Sequence, residues 1–153
     1  MNRLHFVFAF VIALVTPHVA LAQAKVSRDV SNETVEKVLQ GIGLKFTKAP
    51  PKDKDAALLY FEFTRSDLPV RLKNYGKDLW IETTVDKKLR LDDVNRWNAD
   101  AKFSRLVLIE NKDSTTLSLE AQLDCTGGVT EAAIRQFVNR FDEETKKFAK
   151  FVK

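Results

Sequence analysis

Histidine is the residue this chain most conspicuously lacks. Its 153 residues include His5 and His18 and no other histidine, and both lie in a leader read below as removable. From residue 23 onward, nucleophilic triads and dyads built on imidazole are excluded, as are zinc and iron sites ligated by it. Cysteine is nearly as scarce. Cys125 stands alone, so neither an internal disulfide nor a thiolate metal cage can form. It falls on the apolar phase of a predicted strand, which fits a small buried residue and leaves a redox or crosslinking role as the alternative. A long apolar run is missing too. Phe6 to Val15 is apolar, but Thr16-Pro17-His18 interrupts it, short of the roughly 20 residues needed to span a bilayer. Charge of one sign is likewise not concentrated, because Asp and Glu are mixed among the Lys throughout. A nucleic-acid binder normally shows one basic face, so no nucleic-acid partner is expected.

What stands in the leader is informative. Met1-Asn2-Arg3 gives a positive start, Phe6–Val15 an apolar core, and Ala20-Leu21-Ala22 small residues at a cleavage site. This arrangement is a secretory signal over residues 1–22, with cleavage after Ala24 as the rival bond. Its removal leaves 24 basic against 21 acidic residues, a net charge of +3, and no membrane span. The remainder, 23–153, reads as a single domain, periplasmic or secreted.

Ser31 is placed to cap a helix over 32–40, with Val35, Val38, Leu39 and Ile42 on its inner face and Gly41 and Gly43 stopping it. Leu44 to Thr47 opens a strand that gives way to a charged, proline-bearing loop over 49–55. Leu59, Phe61 and Phe63 then alternate with polar neighbours. Turns at 66–69 and 76–78 lead into strands over 70–74 and 79–85, an antiparallel meander. A short helix follows over 90–98, with Leu91, Val94 and Trp97 on one side and Asn98 at its end. Leu106-Val107-Leu108-Ile109 is apolar on both phases, which predicts a strand covered on both faces. Asn111-Lys112-Asp113-Ser114 turns into a strand over 115–125. There Leu117, Leu119, Ala121, Leu123 and Cys125 alternate with Ser118, Glu120, Gln122 and Asp124, as in a half-buried strand. Gly127-Gly128 supplies a reversal, Thr130 a cap, and Ile134, Phe137, Val138, Phe141, Phe148 and Val152 one apolar helical face.

Motifs that suggest chemistry have plainer readings. Gly127-Gly128 precedes a helix N-terminus but lacks the lysine and hydroxyl of a phosphate loop, and Glu131 would repel an anion. Asp92-Asp93 and Asp142-Glu143-Glu144 sit where helices ordinarily carry carboxylates, without the burial that makes an acid catalytic. Lys146, Lys147, Lys150 and Lys153 interleave with Phe148, Phe151 and Val152. They suit a helix C-terminus packed on a sheet, with an anionic lipid or acidic partner as the alternative. Trp80 falls on the phase opposite Leu79 and Ile81, so the second sheet face is either covered or a contact surface. Trp80, Leu91 and Trp97 are the candidate protein-binding residues; the same side chains would equally serve as core of one subunit.

Trp97-Asn98, Phe103-Ser104-Arg105, the polar turn, the Leu-x-Leu-x-Ala-x-Leu-Asp strand at 117–124, Gly-Gly-Val-Thr at 127–130 and the helix carrying Phe141 together resemble the YbjN family. These are bacterial sensory-transduction regulators whose fold is similar to that of type III secretion chaperones. The resemblance spans about residues 31–145 and is densest over 94–141; the leader sets this chain apart from cytoplasmic members. It implies an α+β fold: a twisted antiparallel sheet of about five strands, in the order α-β-β-β-α-β-β-α, with the N- and C-terminal helices on one face. It also implies a homodimer through the other sheet face and the middle helix. The family brings no agreed catalytic residue, so no catalytic, cofactor-binding or metal-ligating residue and no cofactor is assigned. The expected function is an exported, non-catalytic, chaperone-like or regulatory protein-binding module. A periplasmic small-ligand sensor, with an apolar cavity between the sheet and the last helix, is the alternative.

Overall fold

The computed structural model describes residues 26–52, 56–112 and 114–153. The leader read over 1–22, part of the 49–55 loop and Asp113 of the 111–114 turn lie outside the described residues. Three helices and one six-stranded, fully antiparallel sheet make an α+β fold, in the order α1 Asn32–Gly41, β1 Thr47–Ala49, β2 Leu59–Arg65, β3 Leu68–Asn74, β4 Asp78–Asp86, α2 Leu91–Asp100, β5 Arg105–Glu110, β6 Thr115–Asp124 and α3 Glu131–Phe151. Across the sheet the strands run β1-β2-β3-β4-β6-β5. The chain therefore leaves β4, crosses through α2 to lay β5 on the far edge, and returns through a hairpin to set β6 between them.

The sixth strand is β1. About five strands were expected, with a strand opening at Leu44. Leu44 is instead buried in the core, and pairing begins at Thr47, opposite Glu62. Proline at 50 and 51 donates no N–H to a ladder, so the strand stops after three residues. The β2–β3 turn is also tighter than 66–69. Ser66 and Asp67 alone form it, with φ of 49° and 65°, and Leu68 already pairs with Arg65. Two left-handed residues in a row match the twist of the flanking strands.

Caps form where the side chains predict them. The Thr34 N–H donates to Ser31 Oγ at 3.2 Å, and the Ala133 N–H to Thr130 Oγ1 at 3.2 Å. Gly128 has φ +94°, and a Cβ there would collide with Val26 Cγ1, so this one position of the pair requires glycine. Helices α1 and α3 lie on one sheet face. Phe61, Leu72, Ile81, Leu117 and Leu119 meet Val35, Leu39, Ile134, Phe141 and Phe148 there. Each fully buried phenylalanine contributes about 1.5–3 kcal/mol of transfer free energy.

Two polar groups are built into this core. Asn74, wholly buried, donates to Val30 O at 3.0 Å and to Asn32 Oδ1 at 2.8 Å, and accepts from the Gly76 N–H at 2.8 Å. It ties the N-terminal segment to the β3–β4 turn. Thr145 continues the apolar stripe of α3 by turning its hydroxyl back to Phe141 O at 2.8 Å.

The two last strands exchange their expected environments. β5, predicted to be covered on both faces, is the edge strand, and Ile109 at its end is 41% exposed. β6, predicted to be half-buried, is buried at Ser118 and Glu120 on its polar phase as well. Flanked by β4 and β5, it is covered by neighbours on both sides.

Candidate protein-contact surfaces

The face opposite α1 and α3 carries the second phase of every strand. Register places Glu62, Arg71, Glu82, Glu120 and Arg105 in one row across β2, β3, β4, β6 and β5. Arg71 Nη2 lies 2.7 Å from Glu62 Oε1, Lys73 Nζ 3.1 Å from Glu82 Oε1, and Arg105 Nη2 3.0 Å from Glu120 Oε2. Glu82 and Glu120 are directly opposite each other, a like-charge pair offset by the cations on either side. The aromatic members lie flat within this lattice. Tyr60 is covered by Arg71 at 5.1 Å, and Trp80 by Arg105 at 5.2 Å, while the Trp80 indole donates to Glu82 Oε2 at 3.1 Å. Trp80 is thus half-buried, with its polar handle satisfied and its ring screened by a guanidinium.

The middle helix presents a different surface. Leu91, at its start, is 61% exposed, Val94 reaches the core, and Trp97 turns toward α3. There Trp97 packs edge-on against Phe148 at 6.0 Å and tilted against Phe151 at 5.1 Å. Its Nε1 is buried without a hydrogen-bond partner among the described residues. Asn98 does not end the helix, which runs on to Asp100 and closes with the Ala101 N–H on Trp97 O. Instead Asn98 donates to Leu106 O at 2.9 Å and accepts from the Leu106 N–H at 2.7 Å. That side-chain amide imitates a further strand on the free edge of β5.

Between α2, the 101–103 loop and α3 lies a groove of about 700 Å³. It is floored by Trp97, Phe103 and Phe151. Residues 101–103 also wall a shallower depression beside Trp80. The structure therefore sets Trp80 and Trp97 on either side of one loop, and Leu91 lines neither hollow. The space between sheet and α3, where the alternative small-ligand reading requires a cavity, is filled by the core phenylalanines, and the groove lies instead between α2 and α3. Phe103 and Arg140 were missed as surface-forming residues. The sequence carries a partial signal for Arg140 alone, since Arg140, Glu144, Lys147 and Phe151 recur at i, i+4, i+7 and i+11 and so share one stripe of α3.

Four of the five carboxylates weighed for acid–base chemistry, all but Asp92, are tied to cations. Asp142 meets Arg65 at 3.2 Å and Lys146 at 3.1 Å, Glu143 meets Lys146 at 2.7 Å, and Glu144 meets Lys147 at 2.9 Å. The hydrogen bond from Arg90 holds Asp93 below the usual carboxylate range, the wrong direction for a general acid at neutral pH. Burial, and then the charges of Asp78 and Asp124, push the Cys125 thiol up to about 11. A thiol so placed stays protonated and unreactive. Among the described residues no group of three or more His, Cys, Asp or Glu side chains converges to hold a metal. No described helix is long and apolar enough to cross a membrane.

Sheet order, helix placement and the uncovered second face define an open-faced α+β protein of three helices and six strands. The sequence model of the YbjN family, described as "Putative bacterial sensory transduction regulator", matches residues 31–153, and the chain belongs to the YbjN family. Its fold is similar to that in the crystal structure of YbjN, a putative transcription regulator from E. coli. That likeness has a TM-score of 0.62 at 16% identity and covers 80% of this chain and 89% of that one. No curated protein matches the sequence.

Proposed function

We propose that this chain is an exported, non-catalytic member of the YbjN family that acts as a regulatory binding module, burying its open sheet face against a second copy of itself and holding a protein partner on its remaining surface. The observation that carries this is the position of Trp80. An indole set in the middle of a sheet face that none of the described helices covers, among paired charges, has the composition of an interface centre rather than of a solvated surface. The family's description as a regulator supports a role in binding. So do the ion-paired carboxylates and the protonated thiol, none of which is poised for chemistry. Export rests on the leader at 1–22 and places the module in the periplasm or outside the cell.

Sedimentation of the protein without its leader tests the assembly. Trp80→Glu sets a third carboxylate beside Glu82 and Glu120, and is expected to dissociate a dimer without loss of helical circular dichroism. Trp97→Ala is expected to loosen α2 against α3 and weaken assembly less. A wild-type protein that is monomeric at high concentration would reject the dimer; a dimer indifferent to Trp80→Glu would remove the sheet face from it.

A further inference from the structure

The groove between α2 and α3 combines an aromatic floor with an uneven charge balance at its rim. Two of its three acidic members are neutralised, and Asp100 is the one without an ion pair among the described residues. Glu144 is held by Lys147 and also accepts from Ser104 Oγ at 3.0 Å, and Glu143 is held by Lys146. Two of its cations are not. Arg140 lies over the Phe103 ring at 4.3 Å, and neither it nor Lys102 has an ion pair among the described residues. Both are exposed, and Phe151 beside them leaves 36% of its surface in water. A guanidinium stacked on an aromatic ring keeps its edge N–H groups free for a carboxylate. The hollow is also open, with Lys102, Arg140 and Phe151 exposed along it, and the 101–103 loop separates it from the depression beside Trp80. That shape suits a length of chain laid across the surface more than a compact molecule that must be enclosed.

From these observations we infer that the α2–α3 groove is the docking site for an acidic peptide segment of a partner protein, with a bulky apolar side chain seated on Trp97, Phe103 and Phe151 and a neighbouring carboxylate on Arg140 and Lys102. This deepens, and rests on, the reading of the chain as a protein-binding module, and it supplies the partner site distinct from the sheet face. Apolar contact provides the anchor, and the two cations select against basic segments and fix register.

The chain has two tryptophans, so Trp80→Phe leaves Trp97 as the sole indole and its emission as a reporter of the groove. Selection of a random-peptide display library on the wild-type protein, with Arg140→Glu as the counter-selection, is expected to enrich aromatic or large aliphatic residues flanked by Asp or Glu. Synthetic copies should shift Trp97 emission, weaken as salt rises, and lose about ten-fold or more in affinity on Arg140→Glu. Lys102→Glu, in the loop, carries the same test should Arg140→Glu not fold. The inference is overturned if no groove-dependent peptide emerges, if the selected peptides lack carboxylates, or if they bind the charge-reversed variants equally. Free 3-phenylpropionate moving the emission as strongly as the peptides would also overturn it, in favour of a small-molecule site. Trp80→Glu separates this inference from the sheet-face assembly. Peptide binding retained in a monomeric Trp80→Glu protein supports the groove, whereas a dimer that binds no peptide counts against the groove alone.

Discussion

Cys125 shows how one side chain's surroundings decide what it can do. It stands one residue past β6, wholly buried, with its Sγ directed at Leu123 O and the carboxylates of Asp78 and Asp124 nearby. Burial first, and then the two carboxylates, disfavour the thiolate, which is why the folded thiol lies at about 11 against an ordinary 9.0. The sign for stability follows. Below 9.0 both folded and unfolded chains hold the proton and the residue is neutral in the balance. Between 9.0 and about 11 the unfolded chain ionises and the folded one does not, so stability falls with rising pH. Urea unfolding of wild type and Cys125→Ala at pH 8 and pH 10.5 isolates this contribution from lysine and tyrosine titration. The wild type is expected to lose more stability over that interval than the variant; equal losses would show that the thiol titrates normally. Alkylation of the native protein at pH 8 is expected to be slow for the same reason.

Among the elements, β5 and β6 show the limit of reading a strand from its own residues. Periodicity identifies a strand and its apolar phase, as it did for Leu117 to Cys125 and for Phe61 and Phe63. It carries no information about lateral position, because a strand's neighbours are chosen by the crossover and not by its own alternation. Leu106–Ile109, apolar on both phases, predicts cover on both faces, and the strand is an edge whose Ile109 is exposed. Glu120 looked solvated and lies 8% exposed beneath Arg105. The signal that β5 is an edge resides in another element, in Asn98 on α2. Its two bonds to Leu106 occupy backbone groups that would otherwise invite a foreign strand. Asn98→Ala is expected to cost about 1–2 kcal/mol in urea unfolding and to accelerate exchange of the Leu106 amide. Asn98→Asp retains the acceptor and should protect that amide better than alanine does. A Leu106 amide equally protected in all three proteins would show that the clamp contributes nothing.

For the molecule as a whole, the caps at Ser31 and Thr130, the helical stripes and the antiparallel meander were legible because each depends on residues close in sequence. The groove was not. It joins Trp97, Phe103 and Arg140 across three separate elements, and the stripe of α3 that lines it resembles an ordinary solvated face until α2 is seen beside it. The strand opening at Leu44 was legible but its bounds were not, since the three residues of β1 carry no alternation and pair with β2 from Thr47 onward. These differences predict a gradient of local stability. β4 and β6 pair along their whole length, from Asp78 with Asp124 to Asp86 with Thr116, under α3 and with a strand on either side. Opening them requires disrupting the core, so their amides should exchange at rates set by global unfolding. β1 is bonded on one side, with Thr47 and Lys48 exposed, and opens without disturbing the core. Hydrogen exchange with peptide-level readout is therefore expected to place 78–86 and 115–124 as the slowest segments and 47–49 among the fastest strand residues. Slow exchange over 47–49 that persists on dilution would mean that this edge is covered within one chain. Slow exchange that vanishes on dilution would place the β1 edge, alongside Trp80, in the contact between copies.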